Sequence, residues 1–225
     1  MQGLLRKLVS NQNNQEGKFM QGYHQLQIAA VPDNWRLFSI RKNDKNFSSF
    51  RQQIFIRDSY TCCYCGLQSK QHQEVVNLDN NYSNNKSNNL VTACCFCAQC
   101  LFLEAIGREN NGGGTLIYLP EISQTNLNIF CHVLFWTISS KSGYVTDALE
   151  IYDSLCGRAK IVEQHFGEGM SKAAFFGRML IDISNEDRSK LEKEVIPLLR
   201  LLPLSNKFTG ILGDWSKSIV QELSV

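Results

Sequence analysis

The chain has no segment able to span a bilayer. Its longest apolar run, residues 129–138, contains His132 and reaches about half of the roughly 20 residues such a span requires. A strong charge of either sign is also missing. Lys and Arg number 23 against 21 Asp and Glu, a formal net charge of +2, whereas an electrostatic footprint for nucleic acid normally demands a clearly basic domain. No charged region followed by an apolar stretch and a cleavage site opens the sequence. No unit recurs at solenoid spacing and no heptad marks a coiled coil. Gly112-Gly113-Gly114 is not followed by Gly-Lys-Ser/Thr, so it reads as a flexible break rather than a phosphate cradle. What remains is an ordinary globular composition, 43% hydrophobic and 20% charged. At 225 residues it is long enough for one substantial core or two small ones.

Nine cysteines are present, an odd number crowded mostly between Cys62 and Cys100. That pattern fits a secreted disulfide framework poorly and points to a soluble protein in a reducing compartment, with thiols free or on metal. Two Cys-x-x-Cys pairs, Cys62/Cys65 and Cys94/Cys97, bracket 28 residues (66–93). Zinc takes four soft ligands at about 2.3 Å in a tetrahedron, and two such tight turns supply the sulfurs. Cys63 and Cys95 lie inside the pairs, and Cys97/Cys100 makes a further Cys-x-x-Cys spacing, so these positions leave the register open. Cys131 and Cys156 read as small buried apolar residues. Between the pairs the chain carries asparagines and valines where a catalytic metal would want His or Asp.

Along the chain, residues 1–23 read as a flexible extension in which Met20 is a second candidate start. Residues 24–120 form the cysteine module with flanking elements, and 121–225 a helical region packed on it. Alternation at Leu26, Ile28 and Ala30, and again over Trp35–Ile40, predicts short N-terminal strands around a turn at Pro32-Asp33-Asn34. Phe50, Ile54 and Phe55 share one helical face running into Arg57-Asp58. The asparagines from Asn77 to Asn89 predict a loop of side-chain-bonded turns. A helix is expected over 101–106, stopping near Gly107, and a strand over 115–119. Further helices are expected after a Ser123 cap, through Ala148–Leu155 toward Phe166, over 173–181, over 188–202 with a break at Pro197, and over 211–223 around Trp215. The exposed part of the Phe/Leu-rich helices is a candidate ridge for a partner.

The frame Arg57-Asp58-Ser59-Tyr60-Thr61-Cys62-Cys63-Tyr64-Cys65-Gly66, followed by Asn84-Asn85-Lys86-Ser87-Asn88-Asn89-Leu90-Val91-Thr92-Ala93-Cys94-Cys95-Phe96-Cys97, resembles the HNH endonuclease family with a four-cysteine structural zinc. The resemblance covers about residues 50–105. It implies an HNH-like ββα zinc module and favours Cys62, Cys65, Cys94 and Cys97 as the Zn2+ ligands; with the short N-terminal strands and the helical C-terminal half read from the pattern above, the expected fold class is α+β. The family's chemistry uses an Asp-His or His-His dipeptide and a His or Asn after the last zinc cysteine. Here those positions are Val76-Asn77 and Ala98, which cannot hold a hard cation or serve as a base near neutral pH. Asn89 stands where the family braces its loop. The resemblance therefore implies a scaffold without catalysis.

Val76-Asn77-Leu78-Asp79, Asn89–Cys100, Gly112–Glu121 and Phe166-Gly167-Glu168-Gly169 also resemble the IcmJ (DotN) family of Dot/Icm type IVB secretion systems, from about Leu26 to near the C-terminus. That likeness implies a non-enzymatic cytoplasmic subunit of the inner-membrane coupling complex. Its partners would be the C-terminal region of the coupling ATPase DotL and the IcmS/IcmW adaptors, in support of effector translocation. Two competing readings are a metal-dependent HNH endonuclease that uses His72 or Asp79, and a zinc-dependent DNA binder. The second would use Arg36, Arg41, Lys42, Lys45, Arg51 and Arg57 beside Trp35, Phe38 and Phe47.

Overall fold

A computed structural model describes residues 24–211 except 109, 110, 141 and 209. The N-terminal extension and the helix expected over 211–223, beyond Ile211, lie outside the described residues.

Leu26, Ile28 and Ala30 are buried in alternation, as extended backbone requires, but they join no ladder. Instead this segment threads between the cysteine turns. The His24 amide donates to the Cys63 carbonyl at 3.0 Å, the Ala29 amide to the Cys100 carbonyl at 2.8 Å, and the Ala29 carbonyl accepts from Leu103 at 2.9 Å. The predicted second strand is a helix, α1 (Asn34–Asn43), entered through a left-handed Asp33 at φ 65°. Alternation misleads here because Ile40 is 59% exposed, while Asn34 and Phe38, one turn apart, are the buried pair. Phe38 packs on Phe102 at 4.7 Å between ring centres. This burial overrides a weak period-two pattern only a few residues long.

Helix α2 (Lys45–Arg57) starts where the Asp44 carboxylate accepts from the Asn46 amide at 2.8 Å, a side-chain cap for the first turn. Its Ile54 and Phe55 meet Val75 and Leu90 in a small satellite core ringed by Phe47, Phe50 and Tyr60. Strand β1 (Gln73–Asn77) pairs antiparallel with β2 (Leu90–Cys94), Val76 opposite Val91 and Asn77 opposite Leu90. β2 runs directly into the short helix α3 (Cys95–Gln99). The helix expected over 101–106 is reduced to one 3-10 turn, Leu103–Ala105, closed by Gly107 at φ 81°.

The second sheet pairs β3 (Gly114–Tyr118) with β4 (Leu199–Pro203), so residues more than 80 apart in sequence lie side by side. Between them run α4 (Gln124–Ser139), α5 (Val145–Gly157), α6 (Ala159–Phe166), α7 (Ala173–Asp182) and α8 (Asn185–Glu194). Ser123 caps α4 by accepting from the Asn126 amide at 3.1 Å. The helix expected over 188–202 ends at Glu194. Pro197 sits in a 3-10 turn and Leu199–Pro203 pairs as a strand, because its backbone finds β3 and Leu199, Leu201 and Leu202 become buried. The glycine run is packed rather than flexible. The Gly113 amide donates to Gln99 Oε1 at 3.1 Å and Gly114 opens β3 opposite Pro203.

One continuous apolar core reaches from Leu26 to Phe208; Phe96, Phe102, Phe135, Phe176 and Phe208 are fully buried in it, as are Cys62, Cys94 and Cys97. The molecule is thus an α+β fold with two small antiparallel sheets and a helical C-terminal half. No described helix is long and apolar enough to cross a membrane.

Candidate metal centre and its asparagine loop

The first cysteine pair lies on a tight turn. The Cys62 amide donates to the Leu67 carbonyl at 2.9 Å, the Gly66 amide to the Cys62 carbonyl at 3.0 Å, and Gly66 takes φ 74°, a conformation that costs a side-chain-bearing residue energy. The second pair uses different architecture: Cys94 is the last residue of β2 and Cys97 lies in α3. The Cys63 amide ties the turn to β2 through the Thr92 carbonyl at 2.9 Å. From the other side, Asp58 Oδ2 accepts from the Thr92 amide at 2.8 Å, while Arg57 donates to the carbonyls of Ser87 at 2.7 Å and Leu90 at 2.6 Å.

This scaffolding brings the sulfurs of Cys62, Cys65, Cys94 and Cys97 within 4.8 Å of one another. Cys65 and Cys94 sulfurs are 3.6 Å apart. A tetrahedral ion bound at about 2.3 Å by four thiolates places its sulfurs about 3.8 Å apart, so the donor set fits such an ion in spacing and in softness. Burial pushes the Cys94 and Cys97 thiols well up. Burial acts on Cys62 too, yet the neighbouring thiols of Cys65, Cys94 and Cys97 hold it below the usual value. Four sulfurs at this spacing cannot all ionise unless a cation balances them.

Cys100 stands outside the group. Its thiol donates to the Phe96 carbonyl at 3.3 Å, and burial raises it to about 12. Cys63 and Cys95 are half-buried and also raised by burial, Cys131 is fully buried and Cys156 is half-buried. Among the described residues no other set of three or more His, Cys, Asp or Glu side chains converges in this way.

Sequence reasoning missed the groups that face the cluster from α4. Asn128, fully buried, places Nδ2 3.3 Å from the Cys97 sulfur, and His132 places Nε2 3.7 Å from that of Cys94. The His132 ring stacks on Phe96 at 4.4 Å and 2°, and burial lowers its pKa to about 4. The available signal was the spacing of Gln124, Asn128 and His132, polar residues at every fourth position of a helix that is otherwise apolar on that face.

At the far end of the β1–β2 hairpin the asparagines bond one another. Asn77 Nδ2 donates to the carbonyls of Asn81 and Asn84 at 3.0 and 2.7 Å. Asn89 donates to Asp79 Oδ1 at 2.8 Å and accepts from the Asp79 amide at 3.0 Å. Asp79 further accepts from Asn84 Nδ2 at 2.7 Å and from the Asn81 amide at 2.9 Å. The Arg41 guanidinium closes the hairpin's flank, donating to Asn77 Oδ1, Asn85 Oδ1 and the Val75 carbonyl at 2.7, 2.7 and 2.8 Å, with the rings of Phe47 and Tyr82 at 5.1 and 5.3 Å. Val76 is fully buried in β1 and Ala98 is 4% exposed in α3. His72, at φ 58°, precedes β1 and lies about 16 Å of strand from Asn77. Asp79 and His72 therefore sit at opposite ends of the strand rather than in one site. Of the basic residues named for nucleic acid, Arg36 pairs with Asp33 at 3.0 Å, Lys42 with Glu74 at 2.5 Å and Arg57 with Asp58 at 2.7 Å.

No family model matches the chain. Over 203 residues it is 49% identical to the Type 4 apparatus protein DotN of Legionella pneumophila subsp. pneumophila (strain Philadelphia 1), an alignment that spans 89% of this chain and 93% of that protein. At that identity and coverage, the chain belongs to the DotN family of type 4 apparatus proteins.

Proposed function

We propose that the chain is a non-catalytic, zinc-stabilised adaptor subunit of the coupling complex of a Dot/Icm type IVB secretion system. It works on the cytoplasmic side of the inner membrane, binds the C-terminal region of the coupling ATPase DotL, and supports effector recruitment beside the IcmS/IcmW adaptors. The observation that carries this reading is the near-full-length 49% identity to a type 4 apparatus protein. Zinc held by Cys62, Cys65, Cys94 and Cys97 would supply structure rather than chemistry: four thiolates close its shell and leave no position for water or substrate. Support for the non-catalytic reading comes from the residues at the positions the HNH resemblance assigns to base and metal ligands: Val76 is buried in the core, Asn77 bonds to Arg41 and its loop, and Ala98 is buried in α3.

The deciding experiment co-expresses the full chain with the DotL C-terminal region, captures the chain by affinity and measures metal by elemental analysis. One zinc per chain and co-elution of DotL are expected. A metal-free protein would refute the zinc assignment. Plasmid cleavage in magnesium or manganese that is abolished by Asp79→Ala or His72→Ala would refute the non-catalytic one, and absence of DotL from the eluate would refute the partner.

A further inference from the structure

The face of α4 turned toward the sulfurs carries three polar side chains, Gln124, Asn128 and His132, each four residues from the next. Gln124 is 3% exposed and Asn128 0%. Amides buried this deeply are tolerated only when their donors and acceptors are matched. Here the matching also fixes their direction. β4 leaves the amide and carbonyl of Leu201 facing away from β3, and Gln124 meets both: the Leu201 amide donates to Gln124 Oε1 at 2.8 Å, and Gln124 Nε2 donates to the Leu201 carbonyl at 2.9 Å. A flipped Gln124 would set donor against donor and acceptor against acceptor. With Nε2 so placed, Gln124 also donates to Asn128 Oδ1 at 2.9 Å, which turns Asn128 Nδ2 toward the sulfurs, 3.3 Å from Cys97 and 3.9 Å from Cys100. One turn further on, His132 Nε2 lies 3.7 Å from the Cys94 sulfur and 4.0 Å from that of Cys65.

A chain of fixed polarity therefore runs from the second sheet through α4 and ends in the Asn128 N–H aimed at Cys97, while the His132 ring nitrogen stands beside the sulfurs of Cys94 and Cys65. Thiols at these distances need no such donors. Metal-bound thiolates do, because each N–H disperses sulfur charge that burial would otherwise make costly.

We propose that Asn128, oriented by Gln124, and His132 are positioning residues for the metal cluster, donating N–H···S hydrogen bonds to its thiolates so that the helical half of the protein sets the charge on the sulfurs. This rests on the zinc reading above and adds to it residues outside the cysteine motif. It also explains why an otherwise apolar helix face carries amides opposite Cys97.

The test uses the full chain produced in cobalt-supplemented medium, where the sulfur-to-cobalt charge-transfer band reports electron density on the thiolates. Asn128→Leu, close in volume and without a donor, should shift that band to lower energy and speed metal loss to a chelator by about 10–100-fold. Gln124→Leu should shift the band in the same direction by less, and the double variant should exceed Asn128→Leu by nothing. Leu134→Ala loosens α4 without touching a donor, and it should leave the band where it is. A fully metallated Asn128→Leu protein with the wild-type band overturns the proposal while leaving the zinc reading intact; wild-type protein that takes up no cobalt or zinc overturns both. If Asn128→Leu does not fold, the wild-type protein loaded with cadmium-113 serves instead. Coupling from the metal to the Asn128 side-chain amide protons is expected, and its absence overturns the proposal.

Discussion

Helix α7 approaches the 3-10 turn at Leu103–Ala105 so closely that only glycine fits at position 177. A Cβ there would lie 2.7 Å from Leu103 C and 2.8 Å from Glu104 Cα, with Glu104 N nearer still, and all three are backbone atoms that no rotamer change can move. Gly177→Ala must therefore push α7 outward by roughly 0.5–1 Å, and a gap of that size forfeits about a quarter to a half of each dispersion contact across it. The contacts at stake belong to Ala173, Phe176 and Leu180, 1%, 0% and 3% exposed. Overpacking of this kind costs about 1–3 kcal/mol, against which alanine recovers about 1 kcal/mol of helix propensity. Three backbone atoms within 3.0 Å put the site in the upper part of that range, about 2–3 kcal/mol, so the net loss of about 1–2 kcal/mol lowers Tm by about 2–8 °C in a chain of this size. Gly157 provides the opposing case. It ends α5 with open space where a side-chain methyl would go, no heavy atom lying within 4 Å beyond its chain neighbours and its own helix backbone, so Gly157→Ala gains about 0.4–1 kcal/mol by restricting the unfolded chain. Differential scanning calorimetry of the two variants should show shifts of opposite sign. Equal shifts, or a Gly177→Ala protein at least as stable as wild type, would refute the claim that close packing at this crossing holds the helical half on the cysteine module.

Two further perturbations probe buried charge. Arg41→Met removes a guanidinium that satisfies Asn77, Asn85 and Val75 together, and should cost about 3 kcal/mol in urea unfolding, since hydrogen bonds to charged groups contribute about 1.5–3 kcal/mol each and this group is partly solvated. Arg41→Lys should recover only part of that, because one ammonium cannot span three acceptors; full recovery by lysine would show that charge rather than fork geometry matters. Burial of Glu104 raises its carboxyl from 4.5 to about 7. Between those values the folded state holds more protons than the unfolded state, so stability falls as pH rises through the window, by about 3 kcal/mol at most. Glu104→Gln should flatten the unfolding midpoint between pH 5 and pH 8 and raise it at pH 8; an unchanged slope would mean that the carboxyl is solvated.

Features fixed by a few neighbouring residues were legible in the sequence. The Ser123 cap, the amphipathic face of α2, the asparagine turns and the two cysteine pairs each depend on side chains within about one turn or one loop of each other. Misread features have distant partners. β4 looked like the end of a helix because nothing near Leu199–Pro203 reveals that β3 waits more than 80 residues earlier. α1 looked like a strand because the burial of Asn34 and Phe38 depends on Phe102 and Asn80, neither of them local. The glycines at 112–114 looked flexible because their tightness comes from Gln99 and, for Gly114, from Leu201 and Leu202. The polar ladder on α4 was missed for the same reason: Asn128 has its meaning only opposite Cys97, 31 residues away.

The hairpin at the centre of the cysteine module shows how two short strands are held by their ends rather than by a core of their own. Two five-residue strands are marginal alone in water, and the apolar contacts between them amount to little more than Val75, Val76, Leu90 and Val91. Order must then come from the two ends. At one end the side chains of Asn77, Asp79, Asn84 and Asn89 satisfy one another and the loop backbone, and Arg41 fastens that network to α1. At the other, Cys94 joins a sulfur cluster embedded in the main core, against an α4 that carries its own hydrogen bonds to β4. Val76 packs between these ends, Asn77 braces the loop end, and Ala98 is buried in α3. A polar side chain at 76 would have to be accommodated in a fully buried position, so Val76→His should destabilise the hairpin unless its ring nitrogens find partners.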